Sequence, residues 1–144
     1  MAVPPVALTP HEATAVRLRW GDVVVPVVPS ALTAGAFACV RVTAEPAVAR
    51  PAYVDHAADE IVHVLSGSFA LTSGDDEPIP LEAGSVVWVP RGRPRRLDVV
   101  GRHAGTALVI VTPGEPLDDL LAALREGTTD AATLARCGIE LVEP

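Results

Sequence analysis

The run PAYVDHAADEIVHVLSG, residues 51–67, gathers Tyr53, Asp55, His56 and Glu60 into one short stretch. In an extended strand, residues two apart share a face, so Tyr53 and Asp55 point the same way, and Glu60 shares a face with Val62 and Val64 in the strand that follows. Two carboxyls close together in a low-dielectric interior do not both ionise easily, which leaves one as a proton donor near neutral pH. A phenol beside them adds a donor able to polarise a carbonyl or to shuttle a proton. These groups suit proton transfer on an enolisable or conjugated molecule: isomerisation, cyclisation, dehydration or a related lyase step. His56 adjoins Asp55, and alternation sends adjacent residues to opposite faces.

Other chemistries are excluded or disfavoured by what the chain lacks. It contains no Lys, so no lysine Schiff base can form. Its two cysteines, Cys39 and Cys137, lie far apart and outside any CxxC arrangement, which argues for core packing and against a disulfide framework or a thiolate zinc site. All eleven cations are Arg, and four of them, Arg91, Arg93, Arg95 and Arg96, fall in RGRPRR. That cluster either grips a substrate carboxylate or phosphate in bidentate fashion, or is a solvated loop balancing Asp75, Asp76 and Glu77. A formal charge of −7 and a pI near 4.9 disfavour nucleic-acid binding, which needs a basic face. No apolar run is long enough to span a bilayer, and the N-terminus has no signal-type core. The expectation is a cytoplasmic protein with a small-molecule partner, no nucleic acid and no membrane.

The elements that must hold these groups are short. At 144 residues and 14.9 kDa the chain fits a single domain over 1–144, with an arm at 1–14, a β-barrel over 15–113 and C-terminal helices and tail over 114–144. AVRLRW (15–20), VVVPVV (23–28), AFACVRVTA (36–44), residues 53–55, EIVHVL (60–65), the arms of a hairpin across SGDDEP (69–81), GSVVWVP (84–90), RRLDVV (95–100) and TALVIVT (106–112) read as short strands. EPLDDLLAALREG (115–127) changes the period to that of an amphipathic helix, with Leu117, Leu120, Leu121 and Leu124 on one face. TTDAATLARCG (128–138) reads as a second helix stopped by Gly138.

In these motifs the chain resembles the small single-domain cupins, of quercetinase-like type. The run from Ala47 through Tyr53, Asp55 and Glu60 to Gly67 is similar to the first cupin motif. Gly84, Pro90, Gly92 and Arg95 are similar to the second, and the ending CGIELVEP looks like the tails of some quercetinase-like cupins. The resemblance, over residues 33 to 144, implies an all-β fold: a double-stranded β-helix or jelly-roll barrel with a short C-terminal helical appendage. In metal-binding cupins three His and one Glu converge on a divalent ion; carried over, those positions hold Tyr53, Asp55, Arg95 and Glu60. A guanidinium is always protonated and has no acceptor, so Arg95 cannot ligate a metal. Beside Asp55 and Glu60 it would instead supply the ion's positive charge.

The resemblance therefore implies an enzyme without metal or cofactor. Tyr53, Asp55, Glu60 and Arg95 would be catalytic, and Trp88, Phe37, Arg93 and His56 would contact a small apolar substrate, as in specialised metabolism. Two alternatives stay open. A shorter spacing aligns His56 as a ligand beside Asp55 and Glu60, giving a metal-dependent quercetinase-like dioxygenase with unusual ligands, and a barrel that binds a ligand without turning it over fits the same residues. His63 is expected to face outward, and His103 and His11 to be solvated. By analogy with cupins, a homodimer joined through sheet edges and the VVVPVV strand is expected.

Overall fold

The computed structural model describes residues 4–8, 15–127 and 130–142; residues 1–3 and 9–14 of the arm, His11 among them, Thr128, Thr129 and the last two residues lie outside them. In chain order the elements are β1 (Val16–Arg17), β2 (Val23–Val28), β3 (Ala38–Ala44), β4 (Ala52–Asp55), β5 (Asp59–Ser66), β6 (Phe69–Thr72), β7 (Ile79–Leu81), β8 (Val86–Val89), β9 (Pro94–Val99), β10 (Gly105–Thr112), α1 (Glu115–Arg125), α2 (Ala131–Arg136) and β11 (Ile139–Val142). They build two facing sheets, ordered β1-β2-β3-β10-β5-β8 and β11-β4-β9-β6-β7, with every pair antiparallel. This is the all-β double-sheet barrel with a short helical appendage.

Period-two alternation sets which side chains enter. In β5, Glu60, Val62 and Val64 are buried between half-buried Ile61 and His63. Register carries that phase across the sheet: Val62 opposes Val109 and Val87, and Val64 opposes Ala107. One end of the barrel is closed by a core of Ala44, Val64, Phe69, Leu81 and Ala107. Phe69 fits there only because Gly105 lies beneath its ring, where an added Cβ would come within 2.5 Å of it. Over the other end lies α1, whose Leu121 is buried against Val16, Val24 and Val40, each such side chain contributing roughly 1.5–3 kcal/mol. Asp130 caps α2 by accepting from the Thr133 amide at 2.8 Å.

Two elements differ from expectation. AVRLRW is extended only at Val16–Arg17, because the chain turns at once: Leu18 N–H donates to Asp22 O at 2.8 Å and Gly21 sits at φ 102°. The C-terminal tail is a strand. Gly138, at φ 83°, reverses the chain so that β11 pairs with β4, Leu141 opposite Tyr53. Among the described residues no helix is long and apolar enough to cross a membrane.

Candidate active site

Three of the expected residues meet between the sheets. Tyr53 on β4 and Arg95 on β9 are direct register partners in one sheet, while Glu60 enters from the other, on the rung of Val89 and Val111. The Tyr53 hydroxyl lies 3.0 Å from both Glu60 oxygens. Arg95 Nη1 lies 3.2 Å from Glu60 Oε2, and its guanidinium carbon sits 5.5 Å from the Tyr53 ring centroid. Arg95 is 2% exposed and Glu60 5%.

The guanidinium is held in place by backbone. Its Nε donates to Arg93 O at 3.2 Å, and its Nη2 to Pro90 O at 3.2 Å and Arg93 O at 3.0 Å, so the turn between β8 and β9 grips the cation by carbonyls alone. Nη1 is different. Its approach to Glu60 is an ion pair outside hydrogen-bond geometry, and it remains a buried donor without a hydrogen-bond partner. Asp55, also buried, spends Oδ1 on the turn into β5, accepting from the amides of Ala57 at 2.9 Å and Ala58 at 3.0 Å.

Burial pushes the Glu60 carboxyl above the usual carboxylate range, Arg95 pulls it back, and Asp55 pushes it up again. Burial likewise raises Asp55, against its two amide donors. Burial, then the negative charge of Glu60, drives the Tyr53 phenol well above its ordinary value. Tyr53 therefore stays protonated, and Glu60 and Asp55 both hold a proton to higher pH than a free carboxyl does.

All four residues line a cavity of about 530 Å³ whose remaining walls are largely aliphatic, including Val62, Leu97 and Val109, under a roof of Leu117, Leu120 and Leu124 from α1. The other expected contacts lie outside it. Trp88 is 62% exposed, because Val87 and Val89 take the inward phase of β8. Phe37 is 39% exposed in the loop before β3, packed against Gly114. Arg93 Nη2 reaches Asp76 at 3.1 Å on the surface. His56, with a side chain 54% exposed, meets Glu140 at 2.8 Å. As walls of this cavity, those four expectations are corrected. RGRPRR is mostly a balanced surface turn, Arg91 pairing with Asp59 and Arg96 with Asp98. His63 lies on the outer side of its strand and His103 is exposed.

A divalent cation does not fit these residues. The guanidinium beside Glu60 offers donors and no lone pair, and among the described residues no three His, Cys, Asp or Glu side chains gather as ligands. The alternative set of Asp55, His56 and Glu60 is not assembled, since His56 turns to the opposite face.

Sequence reasoning missed a second polar group on the cavity wall. Arg50 and Asp22 form a two-pronged pair at 2.7 Å and 2.7 Å, with Trp20 Nε1 donating to Asp22 at 2.9 Å. Their 28-residue separation leaves no local pattern to find.

The family model described as a cupin domain matches residues 40–115. Among solved structures, a Streptomyces Pac13 variant with uridine is 13% identical, with 97% of this chain and 92% of that one covered and a TM-score of 0.66; Pac13 is described as a nucleoside dehydratase. The polyketide cyclase RemF from Streptomyces resistomycificus is 17% identical over 76% of this chain and 80% of its own, TM-score 0.64. A double-stranded β-helix protein from Klebsiella pneumoniae is 16% identical over 96% and 91%, TM-score 0.59. Comparison with curated proteins gives no match. The match to the family model spans more than half of the residues and includes both strands that carry Tyr53 and Arg95, and the chain belongs to the cupin domain family.

Proposed function

We propose that this cupin is an enzyme that moves protons without a metal, isomerising, cyclising or dehydrating a small, largely apolar organic molecule. The observation that carries the reading is the buried carboxyl of Glu60, held between the Tyr53 hydroxyl and Arg95, with Arg95 Nη1 left as a donor without an acceptor. Glu60 as carboxylate takes a proton from carbon next to a substrate carbonyl. The carbonyl oxygen, gaining charge, accepts from Nη1, a donor already oriented by the backbone of the β8–β9 turn. Tyr53, kept protonated, donates to the same oxygen or to a departing hydroxyl. The proton on Glu60 returns to another carbon in an isomerisation; in a cyclisation the enolate carbon bonds to a second electrophilic carbon, whose π bond breaks, and the proton goes to the atom left anionic; in a dehydration it leaves with hydroxide as water. The fold likeness to a nucleoside dehydratase and a polyketide cyclase supports this class of reaction without naming the substrate.

The test needs no natural substrate. In D2O, the protein is expected to accelerate deuterium uptake at the α-carbon of 1-tetralone, an apolar enolisable ketone, followed by mass spectrometry. Glu60→Gln should remove about 10²–10⁴-fold of that acceleration, the usual contribution of a positioned base, and Tyr53→Phe a smaller part. Acceleration that persists in Glu60→Gln, Tyr53→Phe and Arg95→Met alike would sink the mechanism. A tightly held ligand recovered chemically unchanged would favour a binding protein instead.

A further inference from the structure

The chain carries seven net negative charges, but the formally charged residues on its cavity wall lean the other way. Four are arginines, Arg17, Arg19, Arg50 and Arg95; three are acids, Asp22, Asp55 and Glu60. Asp22 is matched by Arg50, and Glu60 by Arg95. Arg17 and Arg19 have no ion-pair partner among the described residues: Arg17 Nη1 donates to Gly21 O at 3.2 Å, and Arg19 lies over the Trp20 ring at 5.9 Å. Elsewhere on the surface, Arg91, Arg93 and Arg96 sit on nearby carboxylates. Arg41, Arg102 and Arg136 also lack an ion pair among the described residues, but they lie off the cavity; of these uncompensated cations, only Arg17 and Arg19 stand on its wall.

Their position is informative. The exposed members of the cavity wall are Arg17, Arg19, Gly127 and Leu141, which marks the opening between the β1–β2 turn, the end of α1 and β11. Inside that rim, apart from Trp20 and the Arg50–Asp22 pair, the wall is largely aliphatic until Tyr53, Asp55, Glu60 and Arg95. We propose that the molecule this cavity takes is an organic anion, a carboxylate or phosphate on an apolar body, with Arg17 and Arg19 holding the anion at the mouth while the body reaches the Glu60 centre. This rests on reading the cavity as the substrate site and adds the charge of the substrate. Trp20, between Arg19 and Asp22, is a flat wall against which the body enters, and its fluorescence reports arrival.

The experiment compares two probes of equal shape, 2-naphthoate and its neutral amide 2-naphthamide, binding to the whole protein by calorimetry and Trp fluorescence at 50 mM and 300 mM salt. The expected result is about tenfold tighter binding of naphthoate at low salt, a preference that shrinks at high salt. The double variant Arg17→Ala/Arg19→Ala should bind both probes alike, while Arg41→Ala, an exposed arginine on β3, should keep the preference. Equal affinity of the two probes for the unaltered protein, a naphthoate preference that survives the double variant, or binding of neither probe at millimolar concentration would each overturn the proposal. Turnover plays no part in this readout. A naphthoate preference without 1-tetralone exchange would keep the anion site and remove the mechanism, and exchange without a preference would do the reverse.

Discussion

A buried carboxyl between a phenol and a guanidinium is tuned by opposed influences of unequal size. At Glu60 burial is the largest and pushes the proton on; Arg95 is next and pushes it off. Removing the cation should therefore raise the Glu60 pKa further, and the variant that does so with little change of shape is Arg95→Met. We expect its deuterium-exchange profile to rise with pH along a limb shifted upward from that of the unaltered protein, with the plateau rate about 10²-fold lower because the donor to the substrate oxygen is lost. An unmoved limb would mean that Arg95 does not control Glu60. These three side chains were legible in the sequence because strand alternation and the two motif spacings fix their faces independently of sequence distance. Trp88 was not, for a physical reason: VVWV is apolar at every position, so its own pattern carries no phase, and only pairing with β5 sends the ring outward.

At the level of elements, the strand that sequence reasoning left as tail is what flanks the site. β11 supplies the outer neighbour of β4, with Leu141 opposite Tyr53, and Gly138 makes the reversal that brings it there. Its φ of 83° is one that side-chain-bearing residues rarely adopt, and an added Cβ would stand 2.5 Å from the Ala57 Cβ. Gly138→Ala is therefore expected to destabilise the fold by about 1–3 kcal/mol, seen in thermal or urea unfolding, and to weaken naphthoate binding through loss of β11 from the rim. Unchanged stability would show that the turn relaxes freely. IELV has the alternation of an edge strand, but four residues after a helix do not declare their partner; that pairing is a long-range contact, 84 residues apart for His56 and Glu140. By contrast α1 was readable, since its four leucines repeat at helical spacing and the cavity needs a roof.

The whole molecule carries the cost of holding acids in an apolar barrel, and linkage makes that cost measurable. Glu60 and Asp55 both have folded-state pKa values above their unfolded ones. A group of this kind contributes stability that is fully present below the ordinary carboxylate range and lost as pH rises through its raised folded value. The surface acids Asp59 and Asp130 are shifted downward by their partners and work in the opposite sense, but they are common to any variant at position 60. The difference in unfolding free energy between the unaltered protein and Glu60→Gln reports Glu60 together with its coupling to Asp55. Gln leaves Arg95 without its counter-charge, an offset independent of pH while Arg95 stays charged. Against that constant, the advantage of the unaltered protein over the variant is expected to be largest in acid and to shrink with rising pH through the raised Glu60 titration, then level off. Denaturant unfolding from acidic to mildly alkaline pH would measure it. A difference that grew with pH would mean the Arg95 attraction outweighs burial, placing Glu60 below its usual range and removing its fitness as a base near neutrality.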